Sequence, residues 1–141
     1  MRLSISAKGF PELERKLARI FKAFTADTVQ AALTAGAEEI AQEARRLAPV
    51  ATGALRDSIQ VMSSREDMQS YVKSRAGERI VYIGSVGSDP DGDVYYARYI
   101  EYGTARTAAH PFLRPALAAK GDVAGQVTVR HFQKAFLEAA K

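Results

Sequence analysis

Apolar residues in the first third of the chain recur at helical spacing. Leu13, Leu17 and Ile20 follow each other at steps of four and three, and Phe24 continues the series. The same rhythm resumes in residues 33–47. Side chains at this spacing share one face of an α-helix. The pattern therefore predicts one long helix, or two nearly collinear ones, whose apolar stripe faces the interior.

Local signals mark the ends of this helix. Pro11 suits the first helical turn, where its missing N–H group has no partner to lose. Asp27 offers a new N-cap within residues 25–28, so a bend is expected there. Ala48 precedes Pro49, and the residue before a proline avoids the helical region. The helix is therefore predicted to end at this pair.

Three stretches predict β-strands. Residues 2–8 and residues 58–63 alternate between apolar and polar side chains, as half-buried strands do. Residues 79–86 are nearly continuously apolar, which is typical of a central strand. The polar and charged residues 64–78 between the last two strands predict a long exposed hairpin arm.

The second half of the chain predicts two further helices. Residues 94–102 are expected to form a short helix that Gly103 closes, after a turn-rich connection. A last helix is expected in residues 123–140, with a break at Lys120-Gly121 before it.

Together these elements predict the α+β class. We expect an antiparallel sheet of three or four strands packed on one long helix, with a short helix and a C-terminal helix beside it. The 141 residues are 47% hydrophobic and 26% charged, which suits a single soluble domain over residues 1–141. No stretch reaches the roughly 18 apolar residues of a membrane span, and no signal peptide is recognisable, so no membrane association is expected.

The motifs that suggest a metal or phosphate site are incomplete. An acidic triplet in residues 89–93 alternates like the first ligands of a calcium loop. That loop needs a glycine where this chain has Val94 and a glutamate where it has Ile100. Residues 84–87 lack the Lys-Ser or Lys-Thr pair of a phosphate loop. Both stretches are therefore interpreted as turns, and no metal or cofactor is predicted.

The candidates for catalysis are equally weak. His110 lies in a predicted loop and His131 on the last predicted helix, positions more typical of surface or interface histidines. Ser70 and Lys73 match a serine-lysine spacing, but they fall in the predicted arm, which could not hold a nucleophile in place. Without cysteine, the chain has no thiolate nucleophile and no cysteine zinc site. The sequence therefore predicts no enzymatic activity.

Tyrosines and basic residues leave two kinds of binding open. Tyr96, Tyr99 and Tyr102 fall on one side of the short helix, a pattern of half-buried packing that is also typical of protein interfaces. Lys and Arg outnumber Asp and Glu by 20 to 16, and the net charge of +4 permits nucleic-acid contact without requiring it. A small basic DNA-binding accessory protein is therefore the alternative to an assembly role, and a hydrolase is a distant third.

Three motifs in a fixed order resemble a known family. Residues 48–59 read Ala-Pro-Val-Ala-Thr-Gly-Ala-Leu-Arg-Asp-Ser-Ile, and residues 101–104 and 111–117 read Glu-Tyr-Gly-Thr and Pro-Phe-Leu-Arg-Pro-Ala-Leu. The set is similar to the tailed-bacteriophage head-to-tail joining family of the gene-ten product of phage Hong Kong ninety-seven. Members of that family are called neck, minor tail or tail completion proteins. The resemblance extends in order over nearly the whole chain.

The resemblance implies a structural role without catalytic residues, metal or cofactor. It implies that the motifs form the turn after the long helix, the change from short helix to loop, and the anchor of the final helix. These motif residues are Pro49, Thr52, Gly53, Leu55, Tyr99, Glu101, Tyr102, Gly103, Thr104, Pro111, Phe112 and Pro115. The residues expected at an interface are Tyr71, Lys73, Arg75, Tyr95, Tyr96, Arg106 and His110.

The resemblance also implies where such a protein works and with what. We expect it at the head–tail junction of a virion, after assembly in the cytoplasm of the bacterial host. The expected partners are the connector, head-closure, tail terminator or major tail proteins, and further copies of the chain in a ring, with a hexamer as the expected form. Contact with the packaged DNA would be incidental.

Overall fold

Two long helices that pack along each other form the largest part of the described fold. The computed structural model describes residues 10–50, 53–62, 81–85, 88–89, 92–93 and 96–141. The helices are α1 (Phe10–Ala23), α2 (Ala26–Leu47), α3 (Ala54–Ser58), α4 (Ala97–Tyr102) and α5 (Leu113–Ala140). The strands are β1 (Ile59–Met62), β2 (Tyr82–Ser85), β3 (Ser88–Asp89) and β4 (Gly92–Asp93). Helix α5 packs mainly on α2 and more lightly on α1.

Helices α2 and α5 approach each other closely because small residues line their contact. Ala32 and Gly36 of α2 and Ala124 of α5 are buried. A Cβ atom placed on Gly36 would lie 2.6 Å from the carbonyl oxygen of Ala124 and would also overlap the hydroxyl of Thr128. The two helices therefore touch at Gly36, and a larger residue there requires one helix to move.

The core lies where α2, α3, β1 and the start of α5 meet. Phe112 and Ile59 are its largest fully buried side chains. Leu55 of α3 and small residues of α2 and α5 complete the cluster. Because burial of apolar surface is worth roughly 25 cal/mol per Å², these side chains hold the elements together. Leu55 and Phe112 come from different sequence motifs, and the fold places both in one core.

The sheet is antiparallel and small in the part of the chain that the structure describes. Strand β1 pairs with β2, with Ile59 opposite Ser85 and Met62 opposite Tyr82. Helix α2 packs on both strands, and its Arg45 donates from Nε to the carbonyl oxygen of Ile59 at 2.9 Å. Strands β3 and β4 pair with each other in a separate two-stranded ladder.

The α+β class is confirmed, with a small sheet and more helix than strand. The expected sheet of three or four strands is not seen among the described residues, where each ladder has two strands. The predicted strand of residues 2–8 and the predicted arm of residues 64–78 lie outside the described residues. The sequence pattern places β2 in the centre of a sheet, yet its side chains are only half-buried.

The predicted bend in the first helix is a complete break between α1 and α2. Thr25, rather than Asp27, is the N-cap of α2, and its hydroxyl accepts a hydrogen bond from the N–H of Thr28 at 3.2 Å. Threonine satisfies an N–H group of the first turn in the same way as aspartate does, so the two candidates could not be separated by residue type. Helix α2 ends at Leu47 with Ala48 as its extended C-cap, which confirms the predicted stop before Pro49.

The predicted break before the last helix is wrong. Helix α5 begins at Leu113 and continues through Lys120 and Gly121 without a break. A glycine costs an exposed helix only about 1 kcal/mol, and the packing of α5 on α2 outweighs that cost. The predicted turn after the long helix contains the short helix α3. Gly53, at φ 85°, precedes this helix, and its carbonyl oxygen accepts a hydrogen bond from the N–H of Asp57 at 2.9 Å.

Candidate functional site

The short helix α4 ends in a conformation that favours glycine. Gly103 is the C-cap of α4, with φ 74° and ψ 177°, and its N–H donates to the carbonyl oxygen of Tyr99 at 2.8 Å. This region of backbone conformation is essentially restricted to glycine. A Cβ atom on Gly103 would lie 2.8 Å from the backbone nitrogen of Ala109. The helix stop predicted at Gly103 is confirmed, and the chain then folds back closely on itself.

We expect Gly103→Val to lower the free energy of unfolding by about 2 kcal/mol, because valine adds both backbone strain and a backbone clash. Urea denaturation of the variant measures the change. Ala105→Val is the control, since Ala105 is exposed in the same loop. Equal stability of the two variants would show that the position of Gly103 tolerates a side chain.

Residues 104–111 form an exposed loop that is held in place by backbone hydrogen bonds. The N–H of Thr104 donates to the carbonyl oxygen of Thr107 at 2.9 Å, and the Thr104 hydroxyl accepts from the N–H of Thr107 at 3.1 Å. Further along, the N–H of His110 donates to the carbonyl oxygen of Ile100 at 2.8 Å. All side chains of this 104–111 loop are exposed. The loop therefore presents its side chains to solvent from a fixed backbone.

The buried carboxylate of Glu101 connects α4 to the start of α5. Its Oε2 accepts hydrogen bonds from the N–H groups of Phe112 at 2.8 Å and Leu113 at 2.9 Å. Its Oε1 accepts from the N–H of Arg114 at 3.0 Å. The first N–H groups of a helix have no partner within the helix, and a carboxylate there also interacts favourably with the helix dipole. We call this arrangement of Glu101 with residues 112–114 the Glu101 cap.

The Glu101 cap supplies acceptors for the N–H groups at the N-terminus of α5 that have no partner within the helix. Of the first four residues, Phe112, Leu113 and Arg114 donate to Glu101, and Pro115 has no N–H group to satisfy. The N–H of the next residue, Ala116, already donates to the carbonyl oxygen of Phe112 at 3.3 Å. A residue from a different helix thus performs the role that an N-cap side chain usually has, since Phe112 cannot accept a hydrogen bond through its ring.

Arg114 closes the Glu101 cap from the solvent side. Its Nε donates to Glu101 Oε1 at 3.0 Å, and a terminal guanidinium nitrogen donates to the backbone oxygen of Glu101 at 2.9 Å. The guanidinium carbon also lies 4.8 Å from the ring centroid of Tyr102. Burial alone raises the pKa of the Glu101 carboxyl, but the three backbone donors and the guanidinium more than offset this effect. The pKa therefore lies below its ordinary value, and Glu101 stays ionised at neutral pH.

The structure brings the later motif residues together. Glu101, Gly103 and Phe112 belong to the segment that holds the 104–111 loop, with Thr104, Arg106, His110 and Pro111 on the loop itself. Pro49 is exposed after α2, Gly53 precedes α3, and Leu55 is in the core. Five predicted site residues lie outside the described residues: Thr52, Tyr71, Lys73, Arg75 and Tyr95.

Tyr96, which precedes α4, and the two tyrosines of α4 differ in their surroundings. Tyr96 is half-buried and packs against the core cluster. Tyr99 is 52% exposed and Tyr102 is 65% exposed, more than the half-buried packing expected for them. Both therefore lie on the surface next to the 104–111 loop, where a partner could contact them.

Local sequence reasoning did not find the role of Glu101. Helix α5 has no acidic residue in its first turn, and its N-cap residue has no oxygen in its side chain. A helix start that lacks its own cap, with a glutamate shortly before it in the chain, is the signal that could have pointed to the Glu101 cap. Within the described residues, no group of His, Cys, Asp or Glu is arranged to hold a metal ion, and no helix is long and apolar enough to cross a membrane.

A family model described as "Bacteriophage HK97-gp10, putative tail-component" matches residues 12–103. The match covers about two thirds of the 141 residues, from α1 to the end of α4, and includes Glu101. The resemblance of residues 111–117 to the same family lies beyond the matched range. No curated protein and no solved structure matches the chain.

Proposed function

The chain belongs to the HK97-gp10-like family of bacteriophage tail components, and from that premise we propose that it is a structural protein of the head–tail junction. In this role it joins or completes the tail as one domain of residues 1–141. It is assembled in the cytoplasm of the bacterial host and remains in the virion.

The observation that carries this proposal is the fixed, exposed 104–111 loop. An assembly protein must bind its neighbours through a surface that changes little on contact, because ordering a loose segment costs binding free energy. The Glu101 cap holds one end of the loop and the Gly103 turn holds the other. Arg106 and His110, both exposed on the loop, are the proposed contacts to a neighbouring subunit or tail protein.

Ring formation is part of the proposal. A head-to-tail contact between identical subunits closes into a ring when its rotation divides a full turn evenly. The 104–111 loop with exposed Tyr99 and Tyr102 provides one half of such a contact, and the opposite half would lie on the next copy. A hexamer is the proposed form, with the connector, head-closure, tail terminator or major tail protein above and below it.

The proposed role is not enzymatic. Glu101 is the described carboxylate with the strongest burial, and four hydrogen bonds to its two oxygens fill the positions at which a carboxylate accepts. A general base needs a free lone pair to accept a proton. The arrangement therefore suits a structural support and not proton transfer.

Removal of the Arg106 and His110 side chains from the 104–111 loop tests the proposal. In the phage that encodes the chain, we expect the double substitution Arg106→Ala and His110→Ala to reduce joined particles by about tenfold or more, a loss expected of truncated interface contacts. Free heads and free tails should accumulate and can be counted by electron microscopy. The purified variant should keep its melting temperature, because both side chains are exposed.

The matched control is the double substitution Gln42→Ala and Gln126→Ala, at exposed positions of α2 and α5. It should leave the yield of joined particles unchanged. Normal joining by the loop variant would contradict the role of the loop, and normal joining after deletion of the whole gene would contradict the junction role itself.

A further inference from the structure

An apolar surface on α1 and the end of α5 is left uncovered by the described part of the chain. It comprises Leu13, Leu17, Phe21, Phe24, Phe132, Phe136 and Leu137, and we call it the α1–α5 apolar surface. Phe21 is 75% exposed and Leu137 is 62% exposed. The sequence pattern predicts that the stripe of α1 faces the interior, and this expectation is wrong for Leu13 and Leu17, which are exposed.

An exposed apolar stripe is unusual on α1, because a short helix depends on packing contacts to remain folded. Leu13, Leu17 and Phe21 lie at successive steps of four, so they form one continuous stripe along α1. Helix α1 has 14 residues, a length at which isolated helices are marginal in water. Contiguous exposed apolar side chains on a folded chain mark sites of interaction. A partner that covers the stripe would therefore also stabilise α1.

The surface contains a pocket between the two helices. The rings of Phe24 and Phe132 are in contact, with centroids 5.8 Å apart. Together with Gln133, Phe136 and Leu137 they line an open pocket of about 470 Å³. A pocket with apolar walls can receive a leucine or phenylalanine side chain from a partner. Neither a nucleic-acid backbone nor a flat lipid surface offers such a side chain.

The two segments that form this surface carry a net positive charge. Helix α1 has four basic residues, Arg15, Lys16, Arg19 and Lys22, against two acidic ones, Glu12 and Glu14. Residues 129–141 have three, Arg130, Lys134 and Lys141, against Glu138 alone. These two segments account for the whole net charge of +4, so the rest of the chain is neutral overall. The excess positive charge is therefore carried by the same two segments that form the apolar surface.

We propose that the α1–α5 apolar surface binds an apolar helix flanked by Asp and Glu residues, presented by another protein of the virion. The pocket receives one apolar side chain of that helix, and the net positive charge of α1 and of the end of α5 attracts its acidic flanks. A second copy of this chain fits less well, because two equal surfaces would bring like charges together. The identity of the partner as a virion protein rests on the proposed function.

Two synthetic helical peptides test this inference on the isolated full-length chain. Both carry leucines on one face, and they differ only in whether glutamate or lysine flanks that face. Fluorescence anisotropy should show that the glutamate peptide binds at least about tenfold more tightly, and that added salt weakens its binding. Equal binding of the two peptides would overturn the charge complementarity.

Substitutions locate the binding site of the glutamate peptide. Phe21→Ser and Phe136→Ser should each weaken its binding about tenfold or more, while Val50→Ser, at an exposed apolar position outside this surface, should have no effect. Melting temperatures check that all three variants fold. Unchanged binding by both phenylalanine variants would overturn the proposal.

Other occupants of the surface give distinct results. A dimer in analytical ultracentrifugation that Phe21→Ser abolishes, or binding to anionic lipid vesicles or duplex DNA that excludes the peptide, would overturn the proposed partner. These measurements use the isolated chain, whereas the junction role is tested in phage particles. Failure of the peptide-binding inference is therefore distinguishable from failure of the proposed junction role.

Discussion

Replacing Glu101 by alanine is expected to lower the free energy of unfolding by about 3 kcal/mol. The substitution leaves the N–H groups of Phe112, Leu113 and Arg114 without their acceptor, and the first of these lies in a fully buried residue. It also removes the carboxylate that pairs with Nε of Arg114. Because Phe112 is a core residue, the start of α5 cannot move into water without opening the core.

Urea denaturation measures this effect, and Glu12→Gln is its control. Glu12 is an exposed carboxylate whose ion pair with Lys16 spans 4.0 Å, so this substitution should lower the free energy of unfolding by less than about 0.5 kcal/mol. Glu101→Gln should lower the free energy of unfolding by about 2 kcal/mol. One side-chain oxygen of glutamine still accepts hydrogen bonds, but its NH₂ group faces backbone N–H donors. If Glu101→Ala were no less stable than the Glu12 control, the Glu101 cap would not support the fold.

The same variants should differ in their response to acid. The pKa of Glu101 is lowered in the folded chain, so its stabilising contribution is complete above the unfolded pKa and is lost as pH falls through the folded value. The native chain should therefore lose more stability on acidification than Glu101→Gln does. The other carboxylates are common to both proteins, so the difference between their pH profiles reports on Glu101 alone.

Replacing Gly36 by valine is expected to lower the free energy of unfolding by about 3 kcal/mol, the upper part of the usual range for overpacking. A side chain at Gly36 meets the backbone oxygen of Ala124 and the hydroxyl of Thr128, which itself donates to that oxygen at 2.9 Å. Backbone atoms of a neighbouring helix cannot rotate out of the way as a flexible side chain can. Helix α5 would therefore have to shift away from α2 along their contact.

Gly125→Val is the matched control for this effect, because it makes the same substitution in a helix of the same pair. Apart from the backbone of its own helix, no atom of the described residues lies within 4 Å of a Cβ placed on Gly125. Valine and glycine have similar helix propensities, so the stability should change by less than about 0.5 kcal/mol. Thermal and urea unfolding of both variants measure the contrast, and equal destabilisation would rule out the close approach of α2 and α5 at Gly36.

Features governed by neighbouring residues could be predicted from the sequence. The stop before Pro49 follows from a steric rule for the preceding residue, and the stop at Gly103 follows from the freedom of glycine at a helix end. The break near Thr25 is predicted in the right place but with the wrong capping residue. In each case the physical cause lies within a few residues of its effect.

Features that depend on tertiary contacts could not be predicted in this way. The Glu101 cap joins residues 11 to 13 positions apart that belong to different elements. The stripe of Leu13 and Leu17 has the spacing of a buried face, but periodicity does not tell whether the same chain covers it. The continuity of α5 through Gly121 likewise depends on packing against α2. The motif resemblance identified Glu101 as a family position without assigning its role.

The proposed place of this tail component is the head–tail junction, where it forms a ring. Cryo-electron microscopy of joined virions, with the chain marked by a fused tag, tests this location. We expect a closed ring of tagged density between head and tail, and no such density in particles from which the gene is deleted. Tagged density at the distal tip of the tail, or joined virions without the chain, would contradict it.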